Sequence, residues 1–290
     1  MKSLAAIAGV CLLLAVPPAH AQETSELFSR RVSVAGATQA AAPTSGSARK
    51  FEITDNSFLV EEAFNQEARI FQNIASWTLS RDGAWNATFT QEWPLGGTAH
   101  QFSYTIPFSS GDGSTGIDDM LLNYRYQLWD ETSGHPAVAP RVSVVLPTGH
   151  TAAGFGSRAA GVQINVPFSK QFRDLYVHWN AGLTWLPRVA LSDADTPRAS
   201  LTSPQIAASG IWRVTPMFNV MLEALVQFEE SVEDGRRVVN EHTTIAPGSR
   251  RGWNIGDRQL VIGAAVPISM AESGRSAAAL TYFSYELPFK

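Results

Sequence analysis

Beyond residue 84 the chain alternates apolar and polar side chains one by one, in segments of about 9 to 14 residues. In 84–93, Trp85, Ala87, Phe89 and Trp93 share one face and Asn86, Thr88, Thr90 and Glu92 the other. Phe102, Tyr104, Ile106 and Phe108 oppose Gln101, Ser103 and Thr105. Met120, Leu122, Tyr124, Tyr126 and Leu128 alternate with Asp119, Leu121, Asn123, Arg125 and Gln127. The same holds for Val162, Ile164, Val166 and Phe168 against Gln163, Asn165 and Pro167, and for Phe218 to Phe228 around Asn219, Met221, Glu223, Leu225 and Gln227. A period of two puts successive side chains on opposite sheet faces. The lengths exceed the usual globular strand of about 5 to 6 residues and match the about 9 to 11 that a tilted strand needs to cross a bilayer.

A secreted β-sandwich would alternate too, and two features favour the membrane. Trp77, Trp93, Trp129, Trp185 and Trp253 lie near segment ends, where indole rings form girdles at the lipid–water boundary. The chain also closes with Thr281, Phe283, Tyr285, Leu287 and Phe289 on one face, the alternation of a barrel's last strand, with Lys290 following where such strands usually end on the aromatic. Charge is scarce: 17% of residues are Asp, Glu, Lys or Arg, against about 25% in soluble domains. A net charge of -4 supplies no basic surface and argues against a nucleic-acid partner.

Long and short connections alternate along the chain, as outer loops and periplasmic turns do. They include long outer loops at 148–158, 191–203 and 231–241, and tight inner turns at 215–216 and 256–257. The expected fold is all-β: a transmembrane antiparallel up-and-down β-barrel of about twelve strands with a short N-terminal helical segment, both barrel ends facing the periplasm. Two strands are weak: 68–79 has no clear phase, and 242–255 holds Pro247 and two glycines.

Ahead of the barrel, Lys2, the apolar run 5–16 and Ala19-His20-Ala21 read as a signal peptide ending at residue 21. Cys11, the only cysteine, falls inside it, so the exported chain has no disulfide or thiol chemistry. Residues 22–50 read as a linker, 51–67 as a short helical plug or rim segment and 68–290 as the barrel. Asp55 and Asn56 are the expected caps of that helix, which carries Phe58, Glu61, Glu62 and Phe64.

Charge facing lipid costs about 2 to 4 kcal/mol for Arg at mid-bilayer, so polar residues between outward apolar ones must point inward. That rule makes Asp119, Asn123, Arg125, Arg141, Gln163, Asn165, His178, Asn180, Glu223 and Gln227 the expected pore lining, with Glu92 and Glu286 also inward. They form either a selective conduit or a closed set of ion pairs filling a narrow barrel. A lumen of about twelve strands is small enough for an insert to occlude. Glu61 and Glu62 could then pair with Arg125 or Arg141 while Phe58 and Phe64 fill space; the alternative is a helix lying on the periplasmic rim.

Three phrases, Asn56-Ser57-Phe58-Leu59-Val60-Glu61-Glu62-Ala63-Phe64-Asn65-Gln66-Glu67, Gly116-Ile117-Asp118-Asp119-Met120-Leu121-Leu122-Asn123-Tyr124-Arg125-Tyr126-Gln127-Leu128 and Arg141-Val142-Ser143-Val144-Val145-Leu146-Pro147-Thr148-Gly149, resemble the bacterial outer-membrane barrel family named for the meta pathway of phenol degradation. Its members are often labelled transporters. The resemblance covers roughly residues 51–290 and implies the outer membrane of a Gram-negative bacterium and passage of small molecules, aromatic or hydrophobic ones among them. The name fixes no substrate and brings no catalytic motif. The expected partners are outer-membrane lipid, the barrel assembly machinery acting through the C-terminal strand, and a small-molecule solute.

The best enzyme candidate is His178, which shares a face with Tyr176 and Asn180, as a barrel phospholipase would require of its histidine. No serine lies near it at strand spacing, and its face is the lumen rather than lipid. No metal site or cofactor is expected. The histidines lack ligand spacing, and 112–118, rich in oxygen ligands, lacks the closing Glu of a calcium loop and reads as an ordinary hairpin.

Overall fold

A computed structural model describes residues 52–53, 55–111, 114–149, 155–190, 198–233, 235–272 and 274–289. The expected signal peptide and linker lie outside the described residues. The chain forms strands β1 (Ile70–Ser80), β2 (Trp85–Pro94), β3 (His100–Gly111), β4 (Ser114–Ile117), β5 (Met120–Tyr126), β6 (Ala137–Val138), β7 (Arg141–Leu146) and β8 (Gly161–Phe172). β9 (Leu175–Ala190), β10 (Arg198–Thr215), β11 (Phe218–Glu233), β12 (Arg236–Ile255), β13 (Arg258–Ala265), β14 (Ile268–Ala271) and β15 (Gly274–Pro288) follow.

Each strand pairs antiparallel with its neighbours in one sheet, and β1 pairs with β15 from Ile70↔Pro288 to Ser80↔Ala278, which closes the sheet into a barrel. Three staves are made of two strands each. β4 and β5 both pair with β3, β6 and β7 both pair with β8, and β13 and β14 both lie between β12 and β15. The wall therefore has 12 staves. Two of the three breaks fall at proline, Pro140 and Pro267, which has no N–H to give a ladder. Around the second, the sheet stays bonded through Val266 N–H to Pro247 O and Ala278 N–H to Pro267 O.

The polarity of the wall is the reverse of a water-soluble protein's. On β10 and β11, Trp212 and Leu222 point outward, 61% and 56% exposed, while Ser209, Asn219 and Glu223 are buried inside. Val142, Val144, Ile164 and Phe283 are outward in the same way. An apolar exterior on a closed barrel with no free edge is the arrangement a bilayer demands. The expected phases hold on β5, β8, β9, β11 and β15.

Several local expectations do not hold. β1 had no clear phase because its faces are mixed: inward Gln72 and Ser76 accompany Ile74, which packs with buried Leu280 and Tyr282, while outward Trp77 accompanies Asn73. Residues 242–255 are not weak but part of the 20-residue β12, where Pro247 still offers its carbonyl. The expected outer loop 231–241 is mostly ladder, since β11 and β12 pair out to Glu233↔Arg236. The expected helix at 55–66 is absent as well: those residues are irregular chain with bends. Their peptide groups bond to barrel side chains, so a helix's internal ladder has nothing left to satisfy.

Candidate functional site

Residues 53 and 55–66 lie inside the barrel. Ile53, Asp55, Val60 and Ala63 are buried, Ile53 among Ala246, Val261 and Leu280 of the wall. The N–H groups of alternate residues 59, 61, 63 and 65 donate in turn to Glu223 Oε1 at 3.1 Å, Asn180 Oδ1 at 2.8 Å, Ser169 Oγ at 2.7 Å and Gln127 Oε1 at 3.1 Å. Those acceptors stand on β11, β9, β8 and just past β5, so the segment sweeps round the inner wall. Its alternation is that of extended chain.

Carbonyls of the segment are bound as well. Arg125 donates from Nη1 to Glu62 O at 3.2 Å, from Nη2 to Phe64 O, and from Nε to Asn65 Oδ1 at 3.0 Å. Asn180 Nδ2 and Gln127 Nε2 donate to Glu61 O and Ala63 O, each at 2.8 Å. Arg250 Nη1 donates to Asp55 O and Asn56 O, each at 2.6 Å. Asp55 Oδ1 accepts from Gln72 Nε2 at 2.9 Å and Tyr282 OH at 2.6 Å. Gln66 N–H donates to Gln101 Oε1 at 2.6 Å. Hydrogen bonds to charged groups contribute about 1.5 to 3 kcal/mol each, so the two arginines are the heaviest anchors.

The expected pairing of Glu61 is present: Arg141 Nε lies 2.7 Å from Oε1, and Asn165 Nδ2 donates to Oε2 at 2.6 Å. Glu62 meets Arg125 through its carbonyl, not its carboxylate. Phe58 packs on Tyr282 with ring centroids 5.0 Å apart, and Phe64 on Tyr176 at 5.6 Å. The seat for Phe58 depends on two wall glycines. A Cβ on Gly248 would stand 3.0 Å from the ring, and one on Gly263 would overlap it.

Of the expected lining, Asn123, Arg125, Asn165, His178, Asn180 and Glu223 are buried on the inner face, with Arg141 and Gln163 half-buried beside them. Gln227 is half-buried two positions past Leu225 on the same face. Asp119 lies at the break between β4 and β5. Its carboxylate accepts from Gly149 N–H at 3.0 Å, Ser157 N–H at 2.7 Å and Ser157 Oγ at 2.5 Å, which pins the connection after β7.

No serine stands near His178 at spacing along its own strand, but serines stand beside it across the sheet. Pairing puts Ser169 on β8 and Ser209 on β10 directly across from it. Ser169 Oγ lies 2.6 Å from His178 Nδ1, and Ser209 Oγ lies 2.7 Å from Ser57 Oγ. Spacing along a strand does not reveal neighbours across strands, and that is why both were missed. Gln101, Gln72, Tyr282 and Arg250 were missed as anchors too, although the inward phase of β3 already pointed Gln101 at the lumen. No group of three or more metal-ligating side chains occurs among the described residues.

Solved structures similar to this chain are outer-membrane barrels. The COG4313 outer membrane channel from Pseudomonas putida F1 aligns with a TM-score of 0.63 at 14% identity, covering 77% of this chain and 96% of that one. The NanC porin aligns at 0.46 and 10% identity over 76% and 99%. A FadL homologue from Pseudomonas aeruginosa aligns at 0.44 and 11% over 77% and 91%. The first of these shows a shared fold. No family model and no curated protein matches the chain. The chain has the closed antiparallel β-barrel fold of the Pseudomonas putida channel.

Proposed function

We propose that the protein is an outer-membrane conduit for small molecules, aromatic or hydrophobic ones among them, closed by residues 55–66 until that segment shifts. The observation that carries this is the set of bonds from peptide groups 59, 61, 63 and 65 to four separate places on the inner wall. A chain that only braced the barrel could be apolar and helical. This one is held by side-chain contacts that can be exchanged one at a time. The resemblance to the phenol meta-pathway barrel family and the channel fold of the Pseudomonas putida protein both support it.

The test is flux or conductance with purified protein in bilayers. Deleting residues 51–66 should raise permeability while heat-modifiable gel migration still reports an assembled barrel. Glu61→Ala with Glu62→Ala should raise it in part, and more at low salt, where the lost Glu61–Arg141 pair is less screened. An assembled deletion barrel of unchanged permeability would show that the segment closes nothing.

A second reading, a lipid-modifying barrel enzyme, draws on the Ser169–His178 contact. Both residues are completely buried, and Ser169 Oγ already accepts the Ala63 N–H. Lipid hydrolysis that disappears in His178→Ala would favour it over the conduit.

A further inference from the structure

The place where Glu61 meets the wall has the form of a receptor for a carboxylate. Its two wall groups, the Arg141 guanidinium, ion-paired with Nε 2.7 Å from Oε1, and Asn165 Nδ2, which donates to Oε2 at 2.6 Å, stand on neighbouring strands at directly paired positions. Each takes one oxygen of the carboxylate. The seat belongs to the barrel, whereas the group that fills it belongs to the segment.

The seat is also held in shape without Glu61. Arg141 Nη1 donates to Asn123 Oδ1 at 3.1 Å and to Ser143 Oγ, and Nη2 donates to Gln163 Oε1 at 2.9 Å. Gln163 Nε2 in turn donates to Thr184 Oγ1 at 2.9 Å. A planar guanidinium fixed by side chains of β5, β7 and β8 stays in place as the cation with which a lumen carboxylate pairs. The pair is not sealed: the side chains are 13% exposed for Arg141 and 29% for Glu61.

We propose that the Arg141–Asn165 seat is a binding site for the carboxylate of a small solute, and that Glu61 is an internal stand-in which the solute displaces. The proposal rests on the reading of residues 55–66 as a closing segment and names the solute class for it. Exchange of one carboxylate for another leaves no buried cation unpaired at the wall, so displacement avoids the penalty that removing Glu61 alone would carry. A neutral amide of the same shape offers one acceptor oxygen and turns an NH2 group toward donors, so the seat rejects it.

Benzoate and benzamide share ring and shape and differ in this chemistry. In proteoliposomes, after subtraction of protein-free vesicles, benzoate flux through the full chain should exceed benzamide flux by about tenfold, the worth of one hydrogen bond to a charged group. Arg141→Gln should bring the ratio near one. Glu61→Gln should keep the preference and lower the half-saturating benzoate concentration, because the internal competitor is gone. Calorimetry on the detergent-solubilised Glu61→Gln protein should show benzoate binding that is lost with Arg141→Gln added and weakened by Asn165→Ala, which leaves the cation in place. Equal flux of the two solutes with no benzoate binding by Glu61→Gln would overturn the seat and leave the conduit standing. Benzoate binding that depends on Arg141, with no flux of either solute, would keep the seat and overturn the conduit.

Discussion

Gly263 shows how much a single position in this wall decides. Its missing Cβ is the space taken by the Phe58 ring, with Gly248 beside it and Tyr282 behind. Gly263→Val should expel the ring at the cost of overpacking, about 1 to 3 kcal/mol, and loosen residues 55–60. Limited proteolysis of the folded barrel would read this as faster cleavage in the segment. Adding Phe58→Ala to Gly263→Val should restore slow cleavage in part, because the clash is gone although the ring contact is not. Equal cleavage of the wild type and Gly263→Val would show that the ring seat contributes nothing. Phe58 itself was legible in the sequence as a space-filling group. Its seat was not, because a glycine in a strand announces close approach without saying of what.

Among the elements, inward-facing strand positions were readable and the segment's conformation was not. On β5, β8, β9 and β11 the outward apolar set repeats every second residue, so Asn123, Arg125, Asn165, Asn180 and Glu223 could be assigned to the lumen from spacing alone. For residues 55–66 the local signals, Asp55 and Asn56 ahead of an apolar and acidic stretch, were those of a capped helix. What decides against it is distant: Leu59 bonds to Glu223, 164 positions away, and Glu61 to Asn180, 119 away. A buried helix would satisfy its own peptide groups, leave Asn180 of the wall unpaired at a cost of about 1 to 3 kcal/mol, and strip Arg125, Ser169 and Gln101 down to the bonds they make to one another and to His178. The extended course satisfies both sides at once. The same blindness to distant pairing hid Ser169 from His178, although only 9 positions separate them.

The molecule as a whole is a polar interior wrapped in an apolar exterior, so its tolerance to charge should be opposite on the two faces. Leu222 and Glu223 are neighbours in sequence, and Leu222 faces out while Glu223 is fully buried inside. Leu222→Arg should lower folding stability in lipid vesicles by about 2 to 4 kcal/mol if the site lies at mid-bilayer, and less nearer the rim. Urea titration of vesicle-folded protein would measure it. A change within about 0.5 kcal/mol, the range of ordinary surface substitutions, would mean that this face does not meet hydrocarbon.

The short link between the segment and the wall sets how the segment behaves once it lets go. Gln66 is bound to Gln101 of the wall and β1 begins at Ile70; Ile70 N–H returns to Glu67 O, and Phe289 N–H holds Arg69 O. A detached segment is therefore leashed within a few residues of its own anchors, and its recapture is intramolecular. Short tethers give effective concentrations in the millimolar range, so openings should be brief and their durations independent of how much protein the bilayer holds. The same number predicts what a free blocker would need to match the leash: a peptide of residues 52–66 added to the deletion barrel should reach the closure of the intact protein only at about millimolar concentration. Closure equal to that of the intact protein at micromolar peptide would mean that the leash holds the segment away from its best fit rather than in it.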